Sequence, residues 1–174
     1  MVGRLQPYAA ITGTYHDEDR RPLGDLLADG KLIARGHQRQ GIGFRADGRI
    51  VFRERKAGRR IDWKGCYAGI ACGPRLVRGG EKSVDVRRDG FSAAAAVLKA
   101  RRSAIGATRD GRLILCVVAQ EITLDTLAAL MVELGAVDAV NMDGGSMCAL
   151  YVGGVYHAEP VASMSNILVV HRRK

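Results

Sequence analysis

The sequence predicts an α+β fold, a single domain over residues 1–174 in which a mainly antiparallel or mixed β-sheet is packed with a few helices. Three observations carry this expectation. Asp-Gly pairs recur at Asp29-Gly30, Asp47-Gly48, Asp89-Gly90, Asp110-Gly111 and Asp143-Gly144, several of them between short apolar or β-branched runs. Such pairs tolerate the positive φ of tight hairpins. Only one segment carries a long helical stripe. With 174 residues, 47% of them hydrophobic, the chain is long enough for one core and too short for two ordinary domains, and it shows no repeat, linker or low-complexity tract.

The first strand is the apolar run Tyr8 to Ile11. Gly41 to Arg45 and Arg49 to Arg53 form a hairpin about Asp47-Gly48, and Gly73-Pro74 forces a turn between two apolar stretches. An alanine-rich segment from Ser92 to Arg101 is a helix candidate whose basic end suits the negative pole of a helix dipole. Ser103 to Thr108 and Arg112 to Ala119 make a second hairpin. From Thr123 to Leu134, residues Leu124, Leu127, Leu130, Met131 and Leu134 recur at the spacing of a buried helical stripe. Thr123 is a ready N-cap, Asp125 suits the first turn and Gly135 supplies the left-handed stop. The apolar run Val137 to Met142 follows, Ala149 to Val152 turns at Gly153-Gly154 into Val155 to His157, and Asn166 to Val170 is the terminal strand.

Lys and Arg number 27 against 18 Asp and Glu, so the net charge of +9 attracts phosphates, nucleic acids and acidic glycans. The basic residues cluster in Arg53 to Lys64, Arg75 to Arg88 and His171 to Lys174. One Trp and three Phe are too few to interleave with them as single-strand binding requires, which argues against nucleic acid and for solvated basic faces, Arg102 excepted. No apolar run approaches the roughly 20 residues of a membrane helix, so no membrane span is expected. Arg4 and Gln6 interrupt what would be the apolar part of a secretory signal, so none is encoded in Met1 to Ala10. Cys66, Cys72, Cys116 and Cys148 form no C-x-x-C pair and the four His are scattered, which speaks against a structural zinc site. No metal ligand and no cofactor is predicted, a divalent ion held by carboxylates staying open. Cys116 reads as a small buried hydrophobe, and Cys66 with Cys72 as a pair that an oxidising compartment would let bridge.

Four segments concentrate chemistry. Gly135 to Met147 ends an apolar strand with Asn141, Asp143 and paired glycines; Gly144 and Gly145 can turn N–H groups into an oxyanion nest, with Asp143 as acid/base group and the Ser146 hydroxyl beside it, or the segment is a plain Asp-Gly hairpin. Thr12 to Asp17 gathers hydroxyl, imidazole and carboxylate at a strand exit, where His16 is either a titrating group or an ordinary surface histidine. Arg102 enters a strand among small residues, a place where a guanidinium can clamp a phosphate or carboxylate bidentately. Ala71 to Val77 brings backbone donors to a ligand at Gly73, or is a structural turn.

In this order the segments resemble the phosphodiester glycosidase family over nearly the whole chain. The resemblance rests on Thr12-Gly13-Thr14-Tyr15, Pro22-Leu23-Gly24-Asp25, Asp29-Gly30-Lys31, Cys72-Gly73-Pro74-Arg75-Leu76 and Arg102-Ser103-Ala104-Ile105-Gly106. It continues through Asp110-Gly111-Arg112-Leu113, Thr123-Leu124, Leu134 to Ser146 with its specific Asn141-Met142-Asp143-Gly144-Gly145-Ser146, and Ser165 to Val170. Thr12 stands where the family often has Asn, and Cys72 where it often has Gly. The resemblance implies an α+β fold, an exported or envelope protein, and a sugar 1-phosphodiester or glycan as substrate, hydrolysed to leave a phosphomonoester. It implies Arg102 on the phosphate, Asp143 as the carboxylate that activates water or attacks the anomeric carbon, and His16 as reserve acid. Tyr15, Gly73, Asn141, Gly144, Gly145 and Ser146 would line the substrate, and Asp17 or Asp25 would supply a second carboxylate.

Two other readings fit the same residues. One is a non-catalytic carbohydrate or polyanion-binding module on the same fold, driven by the net charge. The other is a cysteine-dependent hydrolase using Cys148 or Cys72 with His16 or His157.

Overall fold

Among residues 2–172, which the computed structural model describes, the strands are β1 (Ala9–Thr12), β2 (Leu26–Ala28), β3 (Lys31–Ala34), β4 (Gln40–Phe44), β5 (Ile50–Glu54), β6 (Ala68–Cys72), β7 (Arg75–Arg78), β8 (Glu81–Lys82), β9 (Ala100–Thr108), β10 (Leu113–Ile122), β11 (Ala136–Met142), β12 (Leu150–Val152), β13 (Val155–Ala158) and β14 (Ile167–Val170). The helices are α1 (Val2–Leu5), α2 (Ala94–Val97) and α3 (Leu124–Glu133). Residues 173 and 174, the end of the expected basic tail, lie outside the described residues. The strands form three sheets in the orders β13-β12-β1-β14, β10-β9-β11-β7-β8 and β3-β2-β6-β4-β5. Every pairing between them is antiparallel, so the α+β domain expected from the turn chemistry is the one that forms.

Side-chain alternation along β9 and β11 makes the central sheet two-faced. Ala104 and Ala139 face α3, where Leu124, Leu127, Ala128 and Met131 bury their side chains. Ile105, Val140 and Met142 face the other way and meet Ile11 of β1, Ile42 of β4 and Ile70 of β6, so all three sheets share a second core. Gly106 leaves room for α3, since a Cβ there would stand 2.7 Å from the Met131 methyl.

The hairpins follow their turns. Gly48 and Gly111 take φ of 86° and 81°, and Asp29 with Gly30 takes positive φ at both positions. Asp143-Gly144 does not: Gly144 is extended at φ −140°, and the chain runs on into a 3-10 turn at Gly145–Met147. The N-cap of α3 is Thr123, whose hydroxyl accepts from Thr126 N at 3.2 Å, and Gly135 stops the helix at φ 84°.

Four expectations need correction. The helix drawn over Ser92 to Arg101 shrinks to Ala94–Val97, because Leu98 is already extended and Ala100 pairs with Ile122 as the start of β9. Ala95 and Ala96 pack against the α3 core, but a segment this short has too few turns to hold a helix by propensity. Leu134 is 48% exposed, and Ala128 takes its share of the helix's buried face. Arg75, counted among solvated basic residues, is buried, ion-paired with Asp138 and stacked 4.7 Å over the Phe52 ring. Cys66 and Cys72 are free and buried. Cys66 packs at the level of Gly43 on β4 whereas Cys72 is level with Gln40, a stagger of about 10 Å along the strand that exceeds the reach of a disulfide.

Candidate active site

The exit of β1 is held from two sides. The Thr12 hydroxyl donates to Met147 O at 2.7 Å and accepts from Ala149 N at 2.8 Å, which gives the threonine in this family position a structural use. One step on, the Asn166 amide pairs with the backbone of Thr14, accepting from its N–H at 2.7 Å and donating to its carbonyl at 3.1 Å. Gly13 must be glycine here, since a Cβ would sit 1.9 Å from Asn166 Oδ1. This clamp aims Tyr15 and His16.

Tyr15 donates its phenolic hydrogen to Gly73 O at 2.9 Å and accepts from Asn141 Nδ2 at 2.6 Å. Asn141 is locked at its backbone too: its carbonyl accepts from Gly73 N and its N–H donates to Pro74 O, both at 3.0 Å. Its Oδ1 is buried with no partner, as is His16 Nε2, while His16 Nδ1 lies 2.8 Å from Asp17 O. Buried polar atoms are nearly always paired, so an open valence such as Asn141 Oδ1 marks where a polar ligand fits.

Asp143 leaves the β11 ladder by donating its N–H to Gly13 O at 3.1 Å, and its carboxylate accepts from Gly144 N at 2.8 Å. Gly144 in turn lies flat against β9, where a Cβ would meet Arg101 O at 2.6 Å and Arg102 Cα at 3.7 Å. Arg102, 9% exposed, donates through Nε to Ile122 O at 3.1 Å and through Nη2 to Leu98 O. No carboxylate among the described residues pairs with it.

Electrostatics tie these groups into one site. Burial pushes the Asp143 carboxyl above its usual range, against the pull of the Gly144 N–H and of His16. Burial also raises the Tyr15 phenol well above its ordinary value; Cys72 and Asp143 push it further up, and Arg102 and the Asn141 hydrogen bond pull it down. Tyr15 therefore senses both the carboxylate and the guanidinium, which do not form an ion pair. Burial lowers the Arg102 pKa, which the Tyr15 and Cys148 charges partly oppose. The thiols are poor nucleophiles: burial takes Cys72 up to about 12 and raises Cys148, whose Sγ lies 3.1 Å from Ser103 Oγ.

Tyr15, His16, Arg102, Asn141, Asp143 and Gly144 thus come together. Other expected site residues stand differently. Gly73 has both backbone groups engaged by Asn141 and Tyr15, so it offers no free donor to a ligand. The Gly144 N–H is taken by Asp143 itself, so no open nest forms there. Gly145 starts the 3-10 turn at φ 59°, and Ser146 is exposed, its carbonyl accepting from Val161 N and Ala162 N. Asp25 has its two oxygens committed to Gly36 N and Trp63 Nε1, and Asp17 accepts from Arg21 N. Among the described residues no group of three or more His, Cys, Asp or Glu is disposed to hold a metal ion. Asn166 and the Ser103–Cys148 pair had no role assigned from sequence; the one available signal was a polar residue placed directly before the apolar strand Ile167–Val170.

The family model for phosphodiester glycosidase matches residues 6–171. No curated protein matches the sequence. Among solved structures, the catalytic domain of zebrafish N-acetylglucosamine-1-phosphodiester alpha-N-acetylglucosaminidase, auto-inhibited by its pro-peptide, is similar at a TM-score of 0.79 and 24% identity, covering 97% of this chain and 64% of that one. A hypothetical protein from Synechocystis is similar at a TM-score of 0.72 and 18% identity, covering 89% of this chain and 49% of that one. At these identities the likeness is one of fold, and this chain spans less than two-thirds of either protein. The family match, by contrast, takes in both the Tyr15 loop and the Arg102 and Asp143 strands, and by it this chain belongs to the phosphodiester glycosidase family.

Proposed function

We propose that the protein hydrolyses the glycosidic bond of a sugar 1-phosphodiester, for example an N-acetylglucosamine-1-phosphodiester, leaving a phosphomonoester on the other product. One observation carries the reading: Arg102, fixed by two backbone carbonyls and without a carboxylate partner among the described residues, has its backbone packed against Gly144, the residue next to Asp143. An unpaired buried cation is costly unless an anion visits it.

In this reaction the bond between the anomeric carbon and the phosphate oxygen breaks and an oxygen from water ends on that carbon. The leaving phosphate is already a stable anion, so stabilising its charge matters more than protonating it. Arg102 takes that role. Asp143, when ionised, either removes a proton from the attacking water or attacks the anomeric carbon itself, and its spacing from a second group decides the stereochemistry. Asn141 Oδ1 is an open acceptor for a sugar hydroxyl, and His16, whose Nε2 has no partner, is the reserve proton carrier.

Incubation of the purified protein with a synthetic N-acetylglucosamine-1-phosphodiester, followed by NMR, tests this directly. Free sugar and phosphomonoester should appear. Arg102→Ala and Asp143→Asn should each lower the rate by about a hundredfold or more while leaving a folded protein. Undiminished turnover in either variant removes that residue from the chemistry, and salt-sensitive binding without cleavage turns the reading to a binding module.

A further inference from the structure

Two adjoining surface cavities of about 240 and 340 Å³ are lined by neither Arg102 nor Asp143. They share His37, Arg55 and Gly58, and their other basic walls are Arg39, Lys56, Arg59 and Arg60. The carboxylates at their margins are occupied elsewhere. Asp25 accepts from Gly36 N and Trp63 Nε1, and Asp89 from Gln40 Nε2 at 2.6 Å and Arg75 N at 2.7 Å. Glu54 lies 3.7 Å from Arg39 Nε but bonds Arg78 and Arg88 more closely, at 2.9 and 2.7 Å. Arg55 is held in place by Arg59 O and His37 O. In the larger cavity Gln38, 8% exposed, keeps a buried Oε1 without a partner.

Backbone hydrogen bonds tie the wall of this groove to the Tyr15 loop. His37 N and Gln38 N both donate to Leu23 O, and Leu23 N donates to Tyr15 O at 2.7 Å. On the other side, the Gln40 side chain that bonds Asp89 comes within 3.7 Å of where a Gly73 Cβ would stand, and Gly73 O accepts from Tyr15.

We propose that the groove holds a second phosphate of the substrate, which is therefore a sugar 1-phosphodiester bearing a further phosphate, as in a chain of sugars or polyols joined by phosphodiesters. The proposal rests on the catalytic reading above for the first phosphate. A phosphate chain fits better than a nucleic acid because neither cavity is lined by Trp, Tyr or Phe, and bases need an aromatic face to stack on. Trp63 lies under the groove with its indole N–H on Asp25 and its ring against Gly41 and Gly69.

Trp63 is the single tryptophan, so its fluorescence reports on the groove. The full chain would be titrated at low salt with a short poly(glycerol phosphate) and, separately, with a single-stranded oligonucleotide. The comparison is with the triple variant Lys56→Ala, Arg59→Ala, Arg60→Ala, which alters only exposed side chains. The polymer should bind the variant at least about tenfold more weakly, while hydrolysis of a simple sugar 1-phosphodiester keeps its kcat/KM. Equal polymer affinity in the two proteins overturns the proposal, and so does tighter binding of the oligonucleotide. If the wild type cleaves no sugar phosphodiester yet the polymer affinity falls in the variant, the groove stands and the catalytic reading is the one that fails.

Discussion

Asp143 is held where water is scarce, and that sets both its stability cost and its pH behaviour. Its folded pKa lies above the unfolded value because burial outweighs the Gly144 N–H and His16. The folded state therefore binds the proton more tightly. The stability this gives is complete below the unfolded carboxyl pKa and is lost as the pH rises through the raised folded value. Asp143→Asn keeps an acceptor for Gly144 N and removes the buried charge. The variant should melt at a higher temperature than wild type near pH 7, and the gap should close below about pH 4. Melting curves at the two pH values check this, and a gap that does not change with pH would show that charge burial is not its cause. Hydrolysis should move the other way with acid, falling as Asp143 takes up its proton. The opposing trends are what a group kept for chemistry, at a cost to the fold, produces.

At the scale of elements, α3 shows which part of its sequence pattern is energetic. Leu127 is fully buried against the central sheet, whereas Leu134, at the same helical spacing, is 48% exposed beyond the last turn. Leu127→Ala should cost about 2–5 kcal/mol and Leu134→Ala less than about 0.5 kcal/mol in urea unfolding. Comparable losses would mean that the C-terminal end of α3 packs as the repeat of leucines suggested. The hairpins and this helix were legible because their signals are local: a turn residue that accepts positive φ, a cap, a stop, a stripe. The 92–101 segment misled because alanine propensity is weak beside the pairing of Ala100 with Ile122, two residues far apart in sequence. Asp143-Gly144 reads like the other Asp-Gly turns but is extended, because contact with Arg101 O requires a residue without a side chain there, a demand that comes from β9.

Across the whole molecule the groups proposed for catalysis come from the exit of β1, the start of β9 and the end of β11, and the segments that carry them were singled out in sequence. Their supports were not. Asp25 serves Trp63, Gly73 is closed by Tyr15 and Asn141, and Arg75 is buried on Asp138, all through contacts that only the assembled sheets create. Asn166 is the clearest case. β14 pairs with β1 from Ala9↔Val170 to Thr12↔Ile167, and where the backbone ladder stops the Asn166 side chain adds one more step by pairing with Thr14. The C-terminal strand thereby fixes the direction of Tyr15 and His16, more than 140 residues earlier in the chain than Asn166. Asn166→Ala leaves the buried Thr14 N–H without its acceptor, at a cost of roughly 1–3 kcal/mol. Urea unfolding should show a lower midpoint with an unchanged slope, since the same surface is exposed. Hydrolysis, measured far below that midpoint, should fall by about tenfold or more because the Tyr15 loop loses its register, an effect on positioning of the kind a small displacement produces. A variant with the lower midpoint but wild-type turnover would show that the clamp serves the sheet alone and that Tyr15 is held through Gly73 and Asn141 without it.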